Sequence, residues 1–431
     1  MLRIVRVRAR LLPAVAIAVS LGFTAAHAAP AGATAPATAK RARAARAATP
    51  TAAIPARRMG INLLDNPGFE KPLAGHPWMP ANWDTSDSGL PTVFFGRDTF
   101  AVHGGQYAVN VANTSTVIPV WHNWSQQVLV GPDAWGKDAV FSVWTRANGL
   151  QGRAYVLLQA YRDSVGKMAR LWHMDRDVAA RKLQINKVDD PILDLGWKRE
   201  YFSTSEDNWI KRTVRVFVPP SVNVLYVRCG LFGTGQVIFD DASLTLEPAQ
   251  PPVEPALRAN LLADPGFEGD GNGWEYAMPP YDGMRVERDT TLAHGGRASI
   301  AASGNMAGFM QVRTGVCQNF SDRALAGKHV RIAGWFKTDS LKSTAFLKIY
   351  AHTLHGMVQS DTPAELFSST HDWTPSSVEM DLPPDTYEVW AWWMYNAPAA
   401  GVVHFDDCDF EVLGPAGTAE AKPATKAVVK P

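Results

Sequence analysis

The sequence predicts an all-β protein built from two tandem antiparallel β-sandwiches. Three observations lead there: a long internal repeat, short apolar runs that alternate every second residue, and the lack of any sustained helical period. The runs Ala139–Thr145, Ala154–Tyr161, Val214–Val218, Val224–Phe232 and Val237–Leu246 are rich in Val, Phe, Tyr and Leu and bounded by Gly, Pro, Asn and Asp, which is strand chemistry. Without a helix-length period, an antiparallel sandwich is favoured over any α/β fold.

The repeat sets the domain organisation. Asn62–Glu70 reads Asn-Leu-Leu-Asp-Asn-Pro-Gly-Phe-Glu and returns at Asn260–Glu268 as Asn-Leu-Leu-Ala-Asp-Pro-Gly-Phe-Glu. Arg97-Asp98-Thr99 with His103-Gly104-Gly105 is echoed by Arg288-Asp289-Thr290 with His294-Gly295-Gly296, and Phe141-Ser142-Val143-Trp144 by Ile332-Ala333-Gly334-Trp335. Trp209 then matches Trp373, Pro219-Pro220 matches Pro383-Pro384, and Phe239-Asp240-Asp241 matches Phe405-Asp406-Asp407. The offset between copies is 198 at the opening, 191 at the His, 164 at the Trp-Pro-Pro block and 166 at the closing Asp pair. The first copy therefore carries insertions of about seven residues after Glu70 and about 27 between Ser164 and Phe202. Within the second, Met168–Lys187 mixes charge with scattered apolar residues and suits a short helix or an irregular loop at the sandwich edge. Modules at 59–247 and 259–413 are expected, joined by a Pro-rich, extended linker at 248–258.

The N-terminus carries Arg3, Arg6, Arg8 and Arg10, an apolar run from Leu11 to Phe23, and Ala26-His27-Ala28 before Ala29. That is the pattern of a secretory signal peptide, residues 1–28. The run falls short of the roughly 20 residues that cross a bilayer, and no later stretch is long and apolar enough to do so. A secreted, periplasmic or cell-surface protein without a transmembrane segment is expected. Residues 29–58 and 414–431 are nearly all Ala, Pro, Thr, Lys and Arg, cannot bury enough side chain to offset ordering entropy, and are expected to be disordered.

The near-neutral total charge hides an asymmetry. The first 58 residues hold ten Lys and Arg and no acid, whereas residues 59–413 hold 29 basic against 40 acidic residues. A body that acidic is a poor partner for nucleic acid, whose phosphates must be met by Lys and Arg. The basic arm suits either adhesion to anionic envelope polymers or a solvated spacer. Three cysteines are too few for a disulfide-built fold. Cys229 is expected to be a buried small apolar residue, and Cys317 and Cys408 could pair in an oxidising compartment.

The Asn-Leu-Leu-x-Asn-Pro-Gly-Phe-Glu opening, the His-Gly-Gly segment, the aromatic strand ending in Trp and the Phe-Asp-Asp close resemble carbohydrate-binding modules of families 4, 9, 16 and 22. The resemblance covers both copies and implies jelly-roll sandwiches of galactose-binding-like fold. It also implies one structural calcium per module. Calcium takes six to eight oxygens, and the residues agree: the phase of the last strand turns Asp240 and Asp406 inward, where a lone carboxylate is costly. Glu70 with Asp240, and Glu268 with Asp406, are the expected side-chain ligands, completed by backbone carbonyls near the His-Gly-Gly segments. The other reading is that these acids cap turns by accepting backbone N–H bonds.

Sugars present C–H patches that bind flat aromatic rings and hydroxyls that bind polar side chains. The richest segment is Tyr387–Tyr395. If Ala391, Trp393 and Tyr395 enter the core, then Trp390, Trp392 and Met394 face outward, and two exposed indoles on one strand form a platform. Trp335 on a neighbouring strand, with Lys337, would extend it. The aligned positions in the first copy are Arg228, Gly230 and Phe232, a poorer platform, with Trp144 and Arg146 on its candidate face. Trp121, Trp124 and Trp172 are placed in loops.

For hydrolysis a carboxyl pair is needed across the scissile bond. Asp189, Asp190, Glu200 and Glu365 are available, all in charged segments where solvated acids are expected. No nucleophile elbow, His-Glu-x-x-His pair or phosphate-cradling Gly loop is present. The expected function is non-catalytic binding of a polysaccharide or other glycan. Two other classes stay open: an envelope adhesion or assembly protein that recognises protein, and a glycan hydrolase or lyase.

Overall fold

The computed structural model describes residues 59–86, 90–114, 121–163, 193–269, 273–277, 284–304, 312–361, 366–397 and 399–417. The signal peptide, the basic arm, most of the tail, Met168–Lys187, Trp172, Asp189, Asp190 and Glu365 lie outside them, as does the side chain of Trp121. All described residues belong to one compact unit.

In the first module the strands are β1 (Pro72–Leu73), β2 (His76–Pro80), β3 (Asp84–Thr85), β4 (Val93–Asp98), β5 (Ala108–Asn113), β6 (Trp121–Leu129), β7 (Lys137–Arg162), β8 (Leu193–Phe202), β9 (Glu206–Phe217) and β10 (Val224–Pro248). The second module has β11 (Glu275–Ala277), β12 (Met284–Asp289), β13 (Ser299–Gly304), β14 (Val312–Phe320), β15 (Lys328–Thr353), β16 (Gly356–Gln359), β17 (Phe367–Asp381), β18 (Thr386–Ala397) and β19 (Ala399–Pro415).

Two very long strands, β7 and β10, serve both layers of the first sandwich. Lys137–Asn148 of β7 pairs with Gln236–Pro248 of β10 and with β9, while Gln151–Tyr161 pairs with Val224–Thr234 and with β8. One sheet therefore runs β4-β5-β10-β7-β9 and the other β3-β6-β10-β7-β8. The bend between them falls at Gly152 and Gly233, both at positive φ, where a Cβ would lie 2.5 Å from Phe232 O and 2.1 Å from Gln151 O. Only glycine lets the two backbones cross so closely.

The second module repeats the plan. The first half of β15 pairs with β19 and β17, and its second half with β18 and β16, giving sheets β12-β13-β19-β15-β17 and β11-β14-β18-β15-β16. Both modules are thus jelly-roll β-sandwiches, as the sequence predicts.

Each sandwich has its own core. Phe69, Trp83, Trp124, Phe141 and Phe239 fill the first, and Phe267, Trp274, Phe336, Trp393 and Phe405 the second. The Pro-Gly-Phe opening is a core anchor in both, because Phe69 and Phe267 each lie 4.7 Å from the indole of Trp83 and Trp274. The short insertion after Glu70 is the β1–β2 hairpin, which leaves Trp78 47% exposed. Trp124 is not a loop residue: it sits in β6, fully buried. All three cysteines are buried free thiols, so no bridge joins Cys317 to Cys408.

Candidate functional site

The acid corners come first because they repeat with almost no change. Asp240 Oδ2 accepts the N–H groups of His103 (2.8 Å) and Gly104 (3.0 Å), and its Oδ1 accepts that of Asp241 (2.7 Å). Asp406 does the same with His294, Gly295 and Asp407. Glu70 Oε1 accepts from Gln106 and Tyr107, and Glu268 Oε1 from Arg297 and Ala298. The repeated glycines follow from this crowding: a Cβ on Gly105 or Gly296 would fall 2.1 or 2.2 Å from the Glu oxygen. Burial pushes the Asp240 and Asp406 carboxyls up, against the N–H bonds that hold them down, and the adjacent Asp241 and Asp407 push the same way as burial.

These acids suit a cation only as part of a larger oxygen set. Among the described residues no group of three or more His, Cys, Asp or Glu side chains converges as a metal site. The Glu70 and Glu268 carbonyls accept from Arg97 and Arg288. Backbone oxygens would have to supply most of the coordination.

Trp144 and Trp335 belong to these corners and not to an aromatic platform. Each stacks face to face on its His, at 4.0 Å for His103 and 3.8 Å for His294, and Trp209 and Trp373 meet the same rings edge-on. The imidazole Nδ1 lies 2.7 Å from Asp241 Oδ2 in the first copy and 2.6 Å from Asp407 Oδ2 in the second. Trp335 sits on the half of β15 that pairs with β19, opposite Asp406, whereas Trp390 and Trp392 pair with the other half. The bend in β15 separates them, so the expected extension of the platform through Trp335 does not form.

The alternation expected along Tyr387–Tyr395 holds, but its outward face is not solvent. Ala391, Trp393 and Tyr395 enter the core, and Trp390, Trp392 and Met394 point the other way. Those three are nonetheless 6%, 7% and 0% exposed. The exposed platform expected at Trp390 and Trp392 is therefore corrected: the indoles lie at a seam between the modules. Trp390 stacks on Trp392 at 5.9 Å and on His352 at 5.4 Å, and its ring meets Trp197 of β8 at 6.0 Å.

Strand β8 makes the seam. Leu193 and Leu195 enter the first core, while Trp197 and Tyr201 cluster with Tyr155 and Leu157 on the outer face. Ser321 and Trp197 exchange two hydrogen bonds, N–H to Oγ at 2.7 Å and Oγ–H to carbonyl at 2.8 Å. Arg199 pairs with Glu275, the Tyr201 hydroxyl donates to the same carboxylate at 2.6 Å, and Arg153 donates to Trp274 O at 3.0 Å. Arg228 faces the seam as well, donating to Gln159 Oε1 at 3.1 Å with its guanidinium 4.1 Å from the Tyr226 ring.

Two acids meet there. Gln159 donates to Asp194, the Trp390 indole N–H donates to Glu388, and His352 Nδ1 lies 3.0 Å from the Asp194 carbonyl. Burial pushes both carboxyls above the usual range; the charge of Asp194 raises Glu388 further, while the Gln159 hydrogen bond and the Arg228 charge pull Asp194 back down. Buried atoms without a hydrogen-bond partner gather in this region: Trp197 Nε1, Trp392 Nε1, Arg228 Nε and Glu388 Oε2. Trp197, Asp194 and Arg199 escaped the sequence reading because they fall in the segment taken as an insertion loop. The outward spacing Trp197, Arg199, Tyr201 was the available signal. Of the candidate catalytic acids, Glu200 pairs with Arg212 at 3.1 Å.

The fold and its seam define a tandem β-sandwich protein whose two outer faces meet. No family model and no curated protein matches the chain. Among solved structures it is similar to the tandem family 22 carbohydrate-binding modules at the N-terminus of Paenibacillus barcinonensis Xyn10C, at 12% identity over 84% of this chain and 100% of that one, TM-score 0.29. It is also similar to the C-terminal family 22 module of Clostridium thermocellum Xyn10B, at 16% identity over 38% of this chain and 99% of that one, TM-score 0.30. A family 61 module in complex with β-1,4-galactotriose matches at 19% identity over 44% and 100%, TM-score 0.27.

Proposed function

We propose that the chain is a secreted, non-catalytic polysaccharide-binding protein whose ligand face is the aromatic row at the seam. The observation that carries this reading is the company the indoles keep. Trp390, Trp392 and Trp197 lie beside a carboxylate oxygen and two indole N–H groups that are buried without partners. A contact made only for docking gains nothing from unsatisfied polar atoms, each of which costs about 1–3 kcal/mol. A hydroxyl-rich ring stacked on indoles would satisfy them.

Ligand entry requires β8 to lift from the second module, so binding and docking compete. The full-length protein is passed over a panel of insoluble glycans beside an Arg199→Ala variant with a loosened seam. The expected result is retention on one glycan class, stronger for the variant, and lost with Trp390→Ala in the same background. No retention of either protein on any glycan would remove the carbohydrate reading and favour recognition of protein.

A calcium ion at each acid corner is part of the same proposal. What supports it is the pairing of buried Asp240 and Asp406 with adjacent Asp241 and Asp407, a concentration of negative charge that a cation relieves. Titration of calcium into chelated protein should raise the melting temperature. An unchanged melting curve would mean that the acids serve only as acceptors for the His-Gly-Gly backbone.

A further inference from the structure

We propose that the seam is a proton-operated latch: Asp194 and Glu388 share one site across it, the modules stay docked while that pair holds protons, and its ionisation parts them. What the opened face then binds rests on the carbohydrate reading; the latch itself does not.

The geometry places one acid on each side. Asp194 is on β8 of the first module, half-buried, and Glu388 is on β18 of the second, fully buried. His352 stands beside both, with Nδ1 3.0 Å from the Asp194 carbonyl and its residue paired in register with Glu388. Among the described residues neither acid has an ion-pair partner. The groups facing them are accounted for strand by strand. From β7 comes Gln159, neutral and bonded to Asp194, and from β10 Arg228, bonded to Gln159, whose charge lowers Asp194 without outweighing its burial. On β8 itself Arg199 is committed to Glu275 of β11. From β15 come Lys348, whose ammonium donates to Ser360 O, and His352. Cys317 of β14 is a buried thiol, and Trp390 of β18 donates to Glu388.

Two neighbouring carboxyls without a bonded cation are costly to ionise where water is excluded. Both are raised in the docked state, burial being the larger cause, so docking takes up protons. His352 works the other way: burial pulls it down to about 4 from 6.5, so docking expels its proton. Between about 4 and 6 the proton that Asp194 takes up on docking is offset by the one His352 loses, and uptake by Glu388 sets the net sign. Above 6.5 the imidazole is neutral in both states and Asp194, raised to about 6, is largely ionised, so Glu388 carries the dependence. Docking should therefore weaken as pH rises, by up to about tenfold per pH unit for each net proton.

The test is hydroxyl-radical footprinting of the full-length protein from about pH 5 to 8, reading oxidation of Trp390 and Trp392 against the exposed Trp78. The expected result is a severalfold rise at the seam indoles with pH, and a flat profile in Asp194→Asn/Glu388→Gln. A flat wild-type profile, or the same rise in the double variant, would overturn the latch. Should the double variant not fold by circular dichroism, the single Asp194→Asn substitution decides it, with a shallower slope expected and an unchanged slope counting against. Glycan retention in the same buffers separates the two ideas. A pH-dependent footprint without retention keeps the latch and removes the carbohydrate reading, whereas retention with a flat footprint does the reverse.

Discussion

Arg199 offers the sharpest probe of how the modules are joined. Its guanidinium pairs with Glu275 across the seam, with side chains only 9% and 16% exposed, and lies 5.0 Å from the rings of Tyr155 and Trp197 and 5.3 Å from that of Tyr201. Arg199→Met keeps most of the apolar stem but strands Glu275. Breaking a buried pair from one side costs roughly 3–5 kcal/mol, and each lost ring contact adds at most about 1 kcal/mol. The cost has a ceiling that a core pair would lack, since the modules can part and let water reach Glu275. The docking free energy is that ceiling, so the expected loss lies at or below the lower end of that range, about 3 kcal/mol at most. Urea unfolding of the full-length protein in a double-mutant cycle with Glu275→Gln should give a coupling of about 1.5–3 kcal/mol. The single variant should also oxidise faster at Trp390 in footprinting. A coupling below about 0.5 kcal/mol with an unchanged footprint would show that the pair holds nothing together.

Further outcomes follow from other contacts. Gly105→Ala and Gly296→Ala should each cost about 3 kcal/mol in denaturant unfolding, from a Cβ at positive φ and from loss of the two N–H bonds to Glu70 or Glu268; a loss below about 1 kcal/mol would mean the corner yields easily. Trp393→Phe should cost about 1–3 kcal/mol, because it removes buried ring volume and leaves Ala333 O without the indole N–H, 3.1 Å away, and a neutral change by thermal melting would contradict the packing. His352 is depressed, so its contribution is whole above 6.5 and is lost as pH falls toward about 4. The residue keeps some solvent access, and about 1–2 kcal/mol is the expected size after that discount. A His352→Phe variant should show a smaller acid loss than wild type in melting curves, and an identical loss would refute the assignment.

The architecture was legible because it depends on signals that repeat. The Pro-Gly-Phe opening and the Phe-Asp-Asp close are each tied to core packing or to backbone N–H bonds, so spacing alone located both sandwiches. Strand alternation also placed Ala391, Trp393 and Tyr395 correctly in the core. What alternation cannot say is whether the outward face meets water. A buried outer face and an exposed one have the same period, and Trp390 and Trp392 were assigned to solvent for that reason. Trp335 was misplaced by a different gap. Its strand turns from one sheet to the other, and a bend of that kind is set by close backbone crossings, as at Gly152 and Gly233 in the first copy. Trp124 was read as a loop residue because His122 and Asn123 interrupt the apolar pattern of β6, although both are buried and Asn123 accepts from the Tyr155 hydroxyl at 3.1 Å.

The differences between the copies take on meaning once the seam is known. Judged as a sugar platform, Arg228, Gly230 and Phe232 of the first module are inferior to Trp390, Trp392 and Met394 of the second. As the opposing wall of a seam the first module is complementary: it contributes Arg153, Arg199 and Arg228, and the second contributes indoles and Glu275. Guanidinium groups match aromatic faces and carboxylates better than a second row of indoles would. The inserted strand β8 has no long counterpart, for β16 in the equivalent place spans only Gly356–Gln359. Adding one strand and exchanging aromatics for cations on a single copy gives the pair a front and a back. That asymmetry makes it possible for one face to be held closed by the other.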